Sequence, residues 1–202
     1  MVAPVTGRGS IRAPASSRFM PPTRLSVPFC DAFSKANALD GPRQSFYAVG
    51  VRALAVMVAT VGGVGYAPVA SGTVGSLVAL PLLPPLAALR GYAPWAYAVL
   101  LVALVGIAIW AADRAEDVLG AEDHPHIVID EVAGLVVAGI VLPGTWLAAA
   151  VAFVLFRLFD VVKPFPARQI DASVEGGLGV VGDDLVAGLY AGLVTRVLLA
   201  VV

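Results

Sequence analysis

The residues that could do chemistry are few, and most are carboxylates. Residues 126 to 137 read HIVIDEVAGLVV, which sets Asp130 and Glu131 side by side in an otherwise apolar run. A second pair, Asp183 and Asp184, stands in GGLGVVGDDLVAGLYAGL, at the expected start of the last apolar helix. Acids at a helix N-terminus are favoured by the dipole, and this alone would account for either pair. Two pairs brought together are different, because like charges repel unless a cation lies between them. Hard carboxylate oxygens suit Mg²⁺, which usually takes one or two protein carboxylates and completes its shell with water and phosphate. Asp123, in EDHPHIVIDE, is a further candidate ligand, while His124 and His126 read as solvated loop histidines.

Cationic groups follow in FRLFDVVKPFPARQID, where Arg157, Asp160 and Lys163 are spaced three apart. On a helix they share one flank, and Pro164 ends that helix just past Lys163. Arg offers a fork matched to phosphate oxygens and Lys a mobile point charge, while Asp160 can orient either one or bind metal. Upstream, ASGTVGSL combines Gly72 and Gly75 with the hydroxyls of Thr73 and Ser76, just before an apolar helix. Backbone N–H groups at such a start bind anions, although an ordinary Ser/Thr cap after a glycine turn has the same appearance. At a helix end, Asp113, Glu116 and Asp117 read as solvated, with Asp117 turned to the site.

Apolar elements must position these groups. Hydrophobic residues make up 59% of the 202 and charged residues 13%, against roughly 45–50% and 25% for soluble proteins, so a membrane protein is expected. Twelve of the fourteen acids fall between Asp113 and Asp184, each cluster bordering an apolar segment. The single cysteine, Cys30, excludes an intramolecular disulfide and a Cys-based redox pair. Residues 1–45, rich in Arg, Ser and Pro, read as a disordered extension, and 46–202 as one catalytic domain. Only Pro94 to Ala112 is a clear single span; Val74 to Leu89 pairs with it as a hairpin. Pro143-Gly144 folds Val132 to Phe159 into a second hairpin that returns Asp160 to the side of Asp130. The fold expected is all-α, a membrane-associated bundle of helical hairpins with its polar loops on one face. Gly188 and Gly192 form a GxxxG suited to close helix packing.

ASGTVGSL, DHPHIVIDEVAG, FRLFDVVKPFPARQID and GGLGVVGDDLVAG, in this order, together resemble the phosphatidylglycerophosphatase A family over about residues 60 to 195. The resemblance implies a Mg²⁺-dependent lipid phosphatase of bacterial membranes that converts phosphatidylglycerophosphate to phosphatidylglycerol and phosphate. It assigns Asp130 and Glu131, with Asp183, Asp184 and the upstream Asp123, to the metal. Arg157, Asp160 and Lys163 go to catalysis and, for the two cations, to phosphate, along with the glycine–threonine stretch of Gly72, Thr73, Gly75 and Ser76. Ser71 stands where the family commonly has proline. Water attack and attack by Asp160 both fit these residues.

The partners expected are the phospholipid and the membrane, with self-association open and no nucleic acid. An excess of Arg and Lys on the polar face (Arg114, Arg157, Lys163, Arg168, against Arg90) places the site on the cytoplasmic side of a bacterial inner membrane. A divalent-cation transporter or a non-catalytic lipid-phosphate-binding protein is the competing class. A transporter needs acids at mid-helix, whereas these border helix ends beside cations.

Overall fold

The structure, a computed structural model, describes residues 46–121 and 124–201. The extension at 1–45 and Asp123 therefore lie outside the described residues. Within them the regular elements are helical: α1 (Phe46–Ala59), α2 (Ser71–Ala79), α3 (Leu83–Tyr92), α4 (Pro94–Leu119), α5 (Ile129–Ala138), α6 (Trp146–Val162), α7 (Ala167–Ser173) and α8 (Gly177–Val201). Short 3₁₀ turns at Val64–Tyr66 and Leu80–Leu82 complete the order.

Local chemistry sets the boundaries. Pro94 opens α4 where its missing N–H costs nothing, and Gly120 closes it in the left-handed conformation at φ 78°. After the Pro143-Gly144 break, the Thr145 side chain accepts the Ala148 N–H at 3.2 Å and caps α6. Lys163 ends α6 at φ 46°, and Pro164 cannot continue it.

The expected hairpin is present, but its arms are unequal. Helix α5 has ten residues, about 15 Å by the helical rise, half of a roughly 30 Å hydrocarbon core. Nine of those ten are buried, for α5 is the axis on which α2, α4, α6 and α8 pack. Its acidic N-terminus faces the polar end of the bundle. At its other end Arg90, from the last turn of α3, donates to the carbonyls of Gly139 (2.6 Å), Ile140 and Leu142 (2.6 Å). These carbonyls lack helical partners, and a cation among them also meets the negative end of the dipole.

Three segments are long and apolar enough to cross a membrane: Ser71–Tyr92, Pro94–Leu119 and Gly177–Val201. Sequence alone singled out only the second, because Pro81, Pro84 and Pro85 interrupt the first and the acids of the third hide its start. The prolines sit at a 3₁₀ turn and in the first turn of α3, where a helix tolerates them. Val99, Val102, Leu193 and Val197 lie exposed on α4 and α8, a surface that lipid solvates and water does not. Tyr92, Trp95 and Trp146, all exposed, sit at the end opposite the acids, as an interfacial aromatic belt does.

Two further expectations change. ASGTVGSL is not a loop before a helix but α2 itself, so Gly72, Thr73, Gly75 and Ser76 are helical. Asp183 and Asp184 do not open α8; they lie in its second turn, beyond a glycine-rich stretch that is already helical. The glycines are there for contact. A Cβ on Gly188 would stand 2.0 Å from the Gly134 carbonyl oxygen, and one on Gly192 2.5 Å from that of Ala138, so α5 and α8 touch backbone to backbone. The GxxxG expectation holds. Gly188→Ala is expected to destabilise the bundle by about 3 kcal/mol, roughly 5–10 °C in a detergent melting curve. Gly106→Ala, where a Cβ meets nothing within 4 Å, is the control that should not lower the curve and should raise it by up to about 1 kcal/mol of helix propensity.

Candidate active site

The polar end of the bundle holds a cavity of about 400 Å³ lined by eight carboxylates and one lysine. Helix α5 contributes Asp130 and Glu131, α6 contributes Asp160, and α8 contributes Asp183 and Asp184. Thus the two sequence-distant acidic pairs do converge, and the Pro143-Gly144 hairpin does return Asp160 to them.

Oxygens of Asp130, Glu131 and Asp184 lie within 4.8 Å of one another. Asp130 is 7% exposed and Asp184 4%. Two of the oxygens in this group, Glu131 Oε2 and Asp184 Oδ1, are buried without a hydrogen-bond partner. Burial, reinforced by the hydrogen bond and charge of Glu131 and by the charge of Asp184, pushes the Asp130 carboxyl well above the usual carboxylate range. Burial raises Glu131 as well, against the opposing effects of Asp130 and Arg157. Protonation or a cation relieves carboxylates so crowded, and an all-oxygen donor set with unsatisfied atoms could hold a hard divalent ion. Asp183 is placed differently: its Oδ2 meets Lys163 Nζ at 2.8 Å, and its Oδ1 accepts the Asp184 N–H at 2.9 Å.

The expected single flank of Arg157, Asp160 and Lys163 is only partly realised. Arg157 Nη1 lies 2.8 Å from Asp160 Oδ2 and 3.9 Å from Glu131 Oε1. Lys163 falls one residue past the helix, and its left-handed backbone sends Nζ to Asp171 (2.7 Å) and Asp183 (2.8 Å). Burial disfavours its charge, but the hydrogen bonds to those two acids outweigh burial and hold it above the ordinary lysine value.

Of the glycine–threonine stretch, Gly72 reaches the site. A Cβ there would come 1.9 Å from Glu131 Oε1 and 3.4 Å from Arg157 Nη1. Gly75 faces Val128, and the buried Ser76 hydroxyl donates to the Gly72 carbonyl at 2.8 Å. Ser71, in the family's proline position, donates to the Pro125 carbonyl at 2.8 Å and ties α2 to the loop before α5. His126 is part of the same tie. Its Nδ1 lies 3.0 Å from the Gly65 carbonyl, and its ring meets Tyr66 at a tilt of 46° with centroids 4.4 Å apart, so it is half-buried and packed instead of free in solvent.

Glu116, Asp171 and Glu175 also line the cavity, and sequence reading passed over them as site residues. Asp117, expected to face the site, instead pairs with Arg114 at 3.8 Å on the exposed surface. Helical spacing carried the missed signal for Glu116, which follows the fully buried Ala108 and Ala112 at intervals of four.

Buried carboxylates beside an arginine and a lysine, at one end of helices long and apolar enough to cross a membrane, are the groups that a membrane-type hydrolase of phosphate esters uses. The sequence profile described as phosphatidylglycerophosphatase A matches residues 57–199, and the chain belongs to that family. It is 37% identical over 131 residues to phosphatidylglycerophosphatase A of Escherichia coli, covering 64% of this chain and 74% of that one. It is 36% identical over 133 residues to the Haemophilus influenzae protein of the same name, covering 65% and 80%. A Bacteroides thetaiotaomicron protein provisionally named phosphatidylinositol-3-phosphatase is 38% identical over 148 residues, covering 68% and 89%. No solved structure matches. The chain is a phosphatase of lipid metabolism.

Proposed function

We propose that the protein hydrolyses the terminal phosphomonoester of phosphatidylglycerophosphate, giving phosphatidylglycerol and phosphate, with Mg²⁺ as its cofactor. The observation that carries this reading is the Asp130–Glu131–Asp184 group with its unsatisfied oxygens, set beside Arg157 at the polar ends of membrane-length helices. Asp130, Glu131 and Asp184 would hold the ion, with Asp123 as a further ligand. When bound, Mg²⁺ supplies Lewis-acid polarisation and an acidified water. Arg157 and Lys163 neutralise phosphate oxygens, and the first-turn N–H groups of α2 around Gly72 and Thr73 add neutral donors. Gly75 and Ser76 serve by packing that helix. Asp160 is held by Arg157, which favours water as the attacking group: its oxygen bonds to phosphorus as the bond to the glycerol oxygen breaks.

Residues 46–202 act as the catalytic domain in a bacterial inner membrane, the site facing the cytoplasm. Arg196, toward the far end of α8, joins Arg90 on the opposite side, yet Arg114, Arg157, Lys163 and Arg168 still outnumber them. The test is phosphate release by detergent-purified protein from phosphatidylglycerophosphate and, separately, from phosphatidylinositol 3-phosphate, with Mg²⁺ or with chelator. Mg²⁺-dependent release favouring the first substrate is expected. Preference for the second would overturn the substrate, and release undiminished by chelator would overturn the metal.

A further inference from the structure

The outer face of α6 is apolar up to its last turn. Leu147, Val154, Leu158 and Val161 recur at helical spacing on that face, and all are exposed. Phe165, just past the helix, carries the row on at 71% exposure. Through the exposed Tyr190 the row joins the lipid-facing surface of α8, where Leu193 and Val197 stand. Arg157 and Asp160 each lie one residue before a member of the row, so the site and this apolar surface share one end of the helix.

That end lies at the edge of the hydrocarbon. Helix α6 has 17 residues, about 25 Å by the helical rise, short of a roughly 30 Å hydrocarbon core. It begins at Trp146, in the aromatic belt of the opposite side, so its last turn reaches only as far as the near boundary. The corner that follows turns back toward lipid. Tyr190 donates to the Phe165 carbonyl at 2.8 Å, and it lies beyond Asp183 on α8 by about 10 Å of helical rise. A tyrosine side chain and one hydrogen bond cover less than that distance, so the Phe165 carbonyl is held on the hydrocarbon side of the Asp183 backbone. At the same corner Lys163 Nζ meets Asp171 at 2.7 Å and Asp183 at 2.8 Å in the cavity wall. An ammonium has three donors, and one remains for a phosphate oxygen.

We propose that the cavity takes its substrate sideways from the bilayer, over the α6–α7 corner, with Phe165 and the α6 row receiving an acyl chain while Lys163 meets the phosphate. The proposal rests on the lipid-phosphatase reading above and adds the route and the selectivity. A lipid seated in a membrane is held by its chain and its headgroup, and one dissolved in water by its headgroup alone.

Full-length wild type and Phe165→Ser, reconstituted in vesicles, are compared on long-chain phosphatidylglycerophosphate in the bilayer and on its dihexanoyl form dissolved in buffer. The Phe165 side chain is exposed and Tyr190 bonds to its backbone, so the fold does not depend on the ring. A loss of about 10- to 100-fold is expected on the bilayer lipid, with an unchanged rate on the dihexanoyl lipid and recovery of the first rate in Phe165→Leu. Equal loss on both lipids, or loss on neither, overturns the proposal. A nitroxide on Phe165→Cys reads the corner without reference to activity, in a Cys30→Ser background because Cys30 is the only native cysteine. Relaxation by oxygen, which partitions into lipid, is expected to exceed relaxation by a water-soluble nickel chelate. The reverse order overturns the proposal, as does shielding from both reagents, which a second copy seated on the corner would give. If wild type hydrolyses neither lipid, the proposed function falls and the nitroxide alone decides the corner.

Discussion

Asp130→Asn is expected to lower the rate of lipid phosphate release by about 10³ to 10⁴, because an amide replaces one ligand of the three-carboxylate group and loses several kcal/mol of charge stabilisation. The same change should make the metal-free protein more stable. Asp130 is pushed up chiefly by burial, then by Glu131 and Asp184, so folding favours its protonated form. Stability from this residue is fully present below the pKa of the unfolded chain and is lost as pH rises through the raised folded value. Metal-free wild type should therefore melt at lower temperature at pH 8 than at pH 5, with Asp130→Asn losing part of that difference. Added Mg²⁺ should restore the wild type by mass action and leave the variant little changed. A variant as active as wild type, or one that Mg²⁺ stabilises equally, would remove Asp130 from the metal group.

Gly72→Ala should separate geometry from stability. The new methyl would occupy a point 1.9 Å from Glu131 Oε1, which is the end of a flexible side chain and can move aside. The helix itself gains, since alanine is a better helix former than glycine by about 1 kcal/mol. Glu131 would then be driven out of register with Asp130 and Asp184. A displacement on the order of 1 Å costs about 10²-fold in rate. Activity reduced to that degree, at a melting temperature no lower than that of wild type, is the expected pair of results. Full activity would mean that the Glu131 carboxylate is not required where it lies.

Much of this arrangement was legible in the chain because charge is rare there. Acids in an apolar background, a Pro-Gly break between two apolar arms and a GxxxG fixed the hairpin, the convergence of the acidic pairs and the α5–α8 contact. What stayed hidden depended on backbone detail. Lys163 looks continuous with Arg157 and Asp160 by spacing, but a proline after it ends the helix and a left-handed residue turns the side chain toward α7. Gly72 and Gly75 read as a loop before a helix but lie within it, and only the approach of Glu131 separates their roles. Asp171 sits on a seven-residue helix too short for periodicity to register.

The backbone contact of α5 with α8 bears on how closely the two acidic pairs stand. Asp130 and Asp184 are mounted on helices whose separation is fixed by glycine against carbonyl, not by side chains that could repack. Gly134 stands one turn after Asp130 and Gly188 one turn after Asp184, so the missing side chains let the two carboxylates approach more closely than any other residue pair would allow. Glycines one turn away from the acids thereby set the spacing of the charge.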